Sequence, residues 1–183
     1  MSPLSPLGIF GFAGAAAAGA FESIASATGT GSSGTITFTS IPSTYTSLQI
    51  RGNYSAATTS GVGLYVRVNS DSSSNYTYHY LSGNGTAASA FGAITQNKVY
   101  ATAGTVSTTT RGVVIGDIHN YNSTTQNKTI RFFAGEDANG SGTVNLASGL
   151  WLSTSAITSV TIVLEGDSFS TSTQFALYGI KGA

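Results

Sequence analysis

The chain has 183 residues, 40% hydrophobic and only 8% charged, with seven basic side chains against seven acidic and no cysteine. No positive excess gathers phosphates, so nucleic acid is set aside as a partner. Disulfide staples and Cys-based zinc sites are excluded, and disorder would need low hydrophobicity with high net charge.

The length suits one domain with a proper core. The first 20 residues read differently from the rest. Leu7 to Phe21 is apolar and dominated by Gly and Ala, yet the first positive side chain is Arg51. A secretory signal carries a positive n-region, and a membrane helix needs about 20 apolar residues; this stretch meets neither requirement, so no membrane partner is expected. Pro3 and Pro6 disfavour helix at its start. The expectation is an extended arm over residues 1–20, with Pro6, Leu7, Ile9, Phe10 and Phe12 meeting a groove on another subunit.

From residue 21 to 183 the pattern is strand, turn, strand. Roughly three residues in ten are Ser or Thr, interleaved with Val, Ile, Phe and Tyr at the two-residue period of a half-buried strand. Phe21–Ser26 is the first predicted strand. In Thr35–Thr39, Ile36 and Phe38 face one way and the threonines the other. Ser47–Gly52 puts Leu48 and Ile50 inward and Arg51 outward. Gly63–Asn69 sets Leu64, Val66 and Val68 against Tyr65 and Arg67. Tyr76–Ser82 follows the polar loop 69–75 and ends at Gly83-Asn84-Gly85. Thr86–Gly104 yields one short strand around Lys98–Thr102. Arg111–His119 is mostly apolar, with Gly112 and Gly116 marking a bulge or a close backbone approach. Thr129–Ala134, Thr143–Leu152, Ser159–Leu164 and Gln174–Ile180 complete about ten strands. Many short strands at even spacing predict an all-β, antiparallel β-sandwich, with a jelly roll as the expected form and a galactose-binding-like or immunoglobulin-like sandwich as the alternative.

Chemistry-bearing groups are sparse. The histidines are His79 and His119, and no Gly-x-Ser-x-Gly elbow precedes a helix. Glu136 with Asp137, and Glu165 with Asp167, sit beside Gly in loops, where turn formation explains them. Asp71 with Asn75, and Glu136 to Gly140, offer hard oxygen ligands, but an EF-type loop needs more acids. No metal site, cofactor or catalytic residue is therefore expected, and the chain reads as a non-enzyme. Tyr76, Tyr78 and Tyr80 alternate along one strand and share a face. They are the candidates for surface contact, with packing under a neighbouring segment as the competing reading. Trp151 reads as an anchor between sheets.

The segments Ser5-Pro6-Leu7-Gly8-Ile9, Ile36-Thr37-Phe38 with Ile41-Pro42, Tyr45 with Leu48-Gln49-Ile50-Arg51, Tyr76 to Leu81 with Gly83-Asn84-Gly85, Ser148 to Trp151, Ala156 to Ile162, and the closing Leu177-Tyr178-Gly179-Ile180-Lys181 stand in this order along the chain. Together they resemble a group of bacteriophage virion proteins common in marine and cyanobacterial phages. The resemblance implies a structural component of the virion: a capsid decoration (cement) protein on the major capsid protein, as a homo-oligomer and preferentially a trimer. The alternative it implies is a tail-fibre or appendage module that binds host glycan or receptor, with Tyr76, Tyr78, Asn84 and Asn122 as the contacts.

Overall fold

In most strands of this protein every second side chain turns into an apolar core. The computed structural model describes residues 19–58, 62–104 and 106–182. The arm residues Pro6, Leu7, Ile9, Phe10 and Phe12 lie outside that range. Among the described residues there are twelve strands: β1 (Phe21–Thr28), β2 (Thr35–Phe38), β3 (Ser47–Tyr54), β4 (Val62–Val68), β5 (Tyr76–Gly83), β6 (Ala88–Gln96), β7 (Val99–Gly104), β8 (Gly112–His119), β9 (Lys128–Asp137), β10 (Gly142–Trp151), β11 (Val160–Glu165) and β12 (Gln174–Ile180). All ladders are antiparallel. The protein is an all-β sandwich, as the alternation predicts.

The larger sheet has eight strands in the order β1-β12-β3-β8-β9-β10-β5-β6, and the smaller has four, β2-β11-β4-β7. If the hairpins β5–β6 and β9–β10 are set aside, two four-stranded sheets remain, β1-β12-β3-β8 and β2-β11-β4-β7. The chain then crosses between sheets at every step except β4 to β7. Both hairpins add to the β8 side and widen one sheet only. β6 escaped the sequence reading because Ala88-Ser89-Ala90-Phe91-Gly92-Ala93 lacks large residues at alternate positions.

The core fills the space between the sheets. Leu48, Ile50, Ile118, Ile130 and Phe132 come from the large sheet, and Phe38, Leu64, Val66, Val68 and Ile162 from the small one, all fully or nearly fully buried. Each such side chain contributes about 1.5–3 kcal/mol relative to exposure. The threonines of β2 stay outside, where the Thr37 and Thr161 hydroxyls pair across strands at 3.1 Å.

β8 pairs with both neighbours without a register shift, so its glycines mark close approach and not a bulge. A Cβ on Gly116 would overlap the ring of its cross-strand partner Phe132, and one on Gly52 the ring of Phe175. Aromatic rings lie flat over inward glycines and fill the missing volume. Gly116→Val is expected to destabilise the fold by about 1–3 kcal/mol through overpacking. Chemical denaturation checks it, and an unchanged midpoint would contradict this packing.

Candidate functional site

Outward positions of a half-buried sheet should be polar, and on the small sheet Thr35, Thr37, Arg67, Thr161 and Glu165 are, with Val163 and Tyr65 the cross-strand exception. The large sheet departs from this over β8, β9, β10 and β5. Ile115 pairs with Phe133, Phe133 with Leu146, and Leu146 with Leu81, giving one apolar row across four strands. The neighbouring row carries Val113, Gly135 and Val144. Val113, Phe133, Leu146 and Leu81 are 61%, 58%, 56% and 59% exposed. Contiguous apolar surface of a few hundred Å² marks an interaction site more often than chance placement does.

Two shallow grooves score this face. One, of ≈ 610 Å³, lies among Arg51, Arg111, Val113, Ile115, Phe133 and Val144. The other, of ≈ 500 Å³, lies among Leu81, Ala88, Ala90, Val144 and Leu146. A polar row borders them: Gln49, Asp117, Arg131, Ser148 and His79 are successive cross-strand partners. Gln49 Nε2 donates to Asp117 Oδ1 at 2.8 Å, and the Arg51 guanidinium lies 5.1 Å from the ring centroids of both Phe21 and Tyr178. An apolar centre with a hydrogen-bonded polar rim is the anatomy of a protein interface. A signal for it was present in the sequence: Val113-Val114-Ile115 and Phe132-Phe133 break the alternation, so both faces of those strands are apolar.

The tyrosine stripe lies elsewhere and does different work. Tyr76 is fully buried, which corrects the expectation of surface contact there. Its ring stacks on Trp151 with centroids 6.5 Å apart. Its hydroxyl accepts from Val68 N at 3.2 Å and lies 3.1 Å from the Asp71 carbonyl oxygen. Burial pushes this phenol up to about 12. Tyr78 and Tyr80 share its face, but they stack on Tyr100 of β7, at 5.6 and 4.1 Å, and are only partly exposed. The packing reading holds because hairpin β5–β6 joins the sheet beside β10, where its inward face meets the edge of the smaller sheet. The proposed glycan contacts do not converge. Asn84 follows the end of β5, whereas Asn122 follows β8 at the opposite end of the antiparallel array.

His119 and three of the loop carboxylates are engaged structurally. His119 Nδ1 meets Ser47 Oγ at 3.1 Å, but its Nε2 faces Arg131 Nη2 at 3.0 Å. The serine thus meets the ring nitrogen to which a hydrolytic triad bonds its carboxylate, and a guanidinium meets the nitrogen that would face the nucleophile. Glu165 pairs with Lys98 at 2.7 Å, Asp167 accepts from Thr58 N at 3.1 Å, and Glu136 accepts from Thr143 N at 3.1 Å. Among the described residues, no three His, Asp or Glu side chains gather as a metal cluster.

Asp71 accepts from Ser73 N at 2.9 Å, Asn75 Nδ2 at 3.0 Å and Trp151 Nε1 at 2.8 Å. Burial alone would raise its pKa, but the hydrogen bonds from Asn75, Trp151 and Ser73 outweigh burial and hold it at about 2. A depressed carboxyl contributes stability above its unfolded pKa of about 3.9, and that contribution is lost as pH falls through the folded value. Trp151 is the sole tryptophan, so its emission reports this event. The expected result is a shift in emission and a fall in stability between about pH 4 and pH 2, with the emission shift absent and the fall in stability smaller in Asp71→Asn, because Glu22 and Asp167 are also held low.

No family model, curated protein or solved structure matches this chain.

Proposed function

We propose that the protein is a non-enzymatic structural component of a phage virion, a capsid decoration protein that docks through the outer face of its large sheet. The observation that carries this reading is the exposed apolar row Ile115-Phe133-Leu146-Leu81 inside a polar rim. Three of its four residues sit on the two added hairpins, so the elements that widen the sheet also supply the docking surface. The strand order left without them supports a jelly roll with two insertions. The near absence of charge fits a surface meant to be covered, since few ions need desolvation when it docks.

The mechanism is added burial at subunit junctions. Each apolar side chain covered by capsid protein contributes at roughly 25 cal/mol per Å², repeated over every copy on the shell, and opposes the outward pressure of packaged genome. The uncharged segment 2–18 would add a second contact to a neighbouring subunit. Quantitative densitometry of purified particles tests the assignment: a copy number on the scale of the shell lattice supports it, and a handful of copies per particle points to a tail appendage. Deleting residues 2–18 is expected to leave a folded β protein that decorates shells weakly. Decoration equal to that of the full chain would remove the arm from the mechanism.

A further inference from the structure

Four strands form the edges of the two sheets, and three of them are protected. β1 is broken by a register shift between Ser23 and Ala25 and carries Glu22 in an ion pair with Lys181. β2 has only four residues. β7 meets β4 across a shift at Leu64/Tyr65, and Lys98 stands at its entrance, paired with Glu165. Charges, bulges and shortness are the devices by which natural sheets block edge-to-edge pairing.

β6 has none of them along its first six residues. Ala88 to Ala93 runs in unbroken register with Gly83 to Tyr78, a free edge of about 20 Å at strand rise. The regular stretch ends where Thr95 takes a φ of 60°. No described strand pairs with its outer side. The strand is exposed on both faces, with Phe91 at 54% and Ile94 at 75%. There is no Asp, Glu, Lys or Arg between Asp71 and Lys98.

We infer that this edge is a self-association site, in which β6 of one copy pairs antiparallel with β6 of a second copy. The occupant follows from two facts. First, a pairing strand must match Ala88–Ala93 in length and regularity, and β1, β2 and β7 do not, whereas a second β6 does. Second, an isologous antiparallel contact sets each residue against the one reflected through the two-fold axis, and the residue on the axis against its own twin, so a charge near the axis would face a like charge and repel; this strand has none. The pairing would join two eight-stranded sheets edge to edge, satisfy the outward backbone groups of β6, and set the exposed Phe91 rings of the two copies against each other beside Tyr80. It would also carry the apolar outer face across the two-fold axis. The inference stands apart from the virion assignment, since it concerns only how copies meet. It also departs from the trimer expectation, because a closed three-fold ring needs two different complementary edges.

Sedimentation equilibrium of the full chain reads the result directly. Two copies per particle are expected, reduced to one in Ala90→Lys and in Phe91→Lys, with unchanged circular dichroism. The chain has no cysteine, so single variants Ser89→Cys, Ala90→Cys and Phe91→Cys can be oxidised without background. At least one should give a covalent dimer, and Thr37→Cys on the opposite side should not. This cross-link decides the question even if the lysine variants fold poorly. A monomer, a trimer, or a dimer that none of the three β6 cysteines cross-links would overturn the pairing.

Discussion

Phe133→Lys is expected to abolish docking while leaving the fold intact. Phe133 sits at the centre of the apolar row, between Ile115 and Leu146, and is 58% exposed. A surface substitution of this kind changes folding stability by about 0.5 kcal/mol or less. In a docked interface the same side chain is an aromatic anchor, and burying an unpaired ammonium in its place adds desolvation. Loss of about 2–4 kcal/mol corresponds to roughly 30- to 700-fold weaker binding. Co-sedimentation with shells assembled without this protein measures it. Leu146→Lys should behave alike, and Thr37→Lys on the small sheet should bind as wild type. If Phe133→Lys and Leu146→Lys both decorate shells normally, the large sheet's outer face is not the docking surface.

The second large effect concerns the fold. Tyr76→Ala is expected to lower the unfolding free energy by about 3–5 kcal/mol, the range for removing a buried aromatic ring. Tyr76 is fully buried, stacked on Trp151, and its hydroxyl closes the loop between β4 and β5 through Val68 and Asp71. Tyr76→Phe keeps the ring and removes the hydroxyl, so it should cost about 1–3 kcal/mol for the buried partners left unpaired. By contrast, His79→Ala, three residues further along β5 and exposed on the outer face, should change stability little. Urea unfolding followed by Trp151 emission separates the three. Equal midpoints for Tyr76→Ala and wild type would sink the view that the tyrosine stripe is core.

Local pattern made much of this protein readable. Alternation in Thr35–Thr39, Ser47–Gly52 and Gly63–Asn69 set Ile36, Phe38, Leu48, Ile50, Leu64, Val66 and Val68 inward correctly, because a pleat sends successive side chains to opposite sides whatever lies beyond. Trp151 as an anchor also followed from residue type, whereas Gly116 was open between a bulge and a close approach until the unshifted register and the Phe132 ring over it decided for the second. The failures have a common cause. β6 was missed because its side chains are small, and it is held in place by backbone pairing to β5, which no one-dimensional period reports. The tyrosines of β5 read as either surface contacts or packing under a neighbouring segment, and period alone did not separate the two.

What the amino acids settle alone is the β class, the register of each face and the scarcity of chemistry, since those depend on neighbours along the chain. Which faces meet water is a matter of partners distant in sequence. Tyr78 and Tyr80 are covered because β7 passes over them, and Phe133 is uncovered because the smaller sheet has only one outer layer to give and lies on the other side. Lys128 shows the same limit: it occupies an inward position and is fully buried, yet stays satisfied by donating to the Gln126 and Thr154 carbonyl oxygens at 2.6 and 3.2 Å. Only the assembled sandwich, with four strands laid over eight, decides that, among the described residues, the regular edge of β6 and one apolar face are left uncovered.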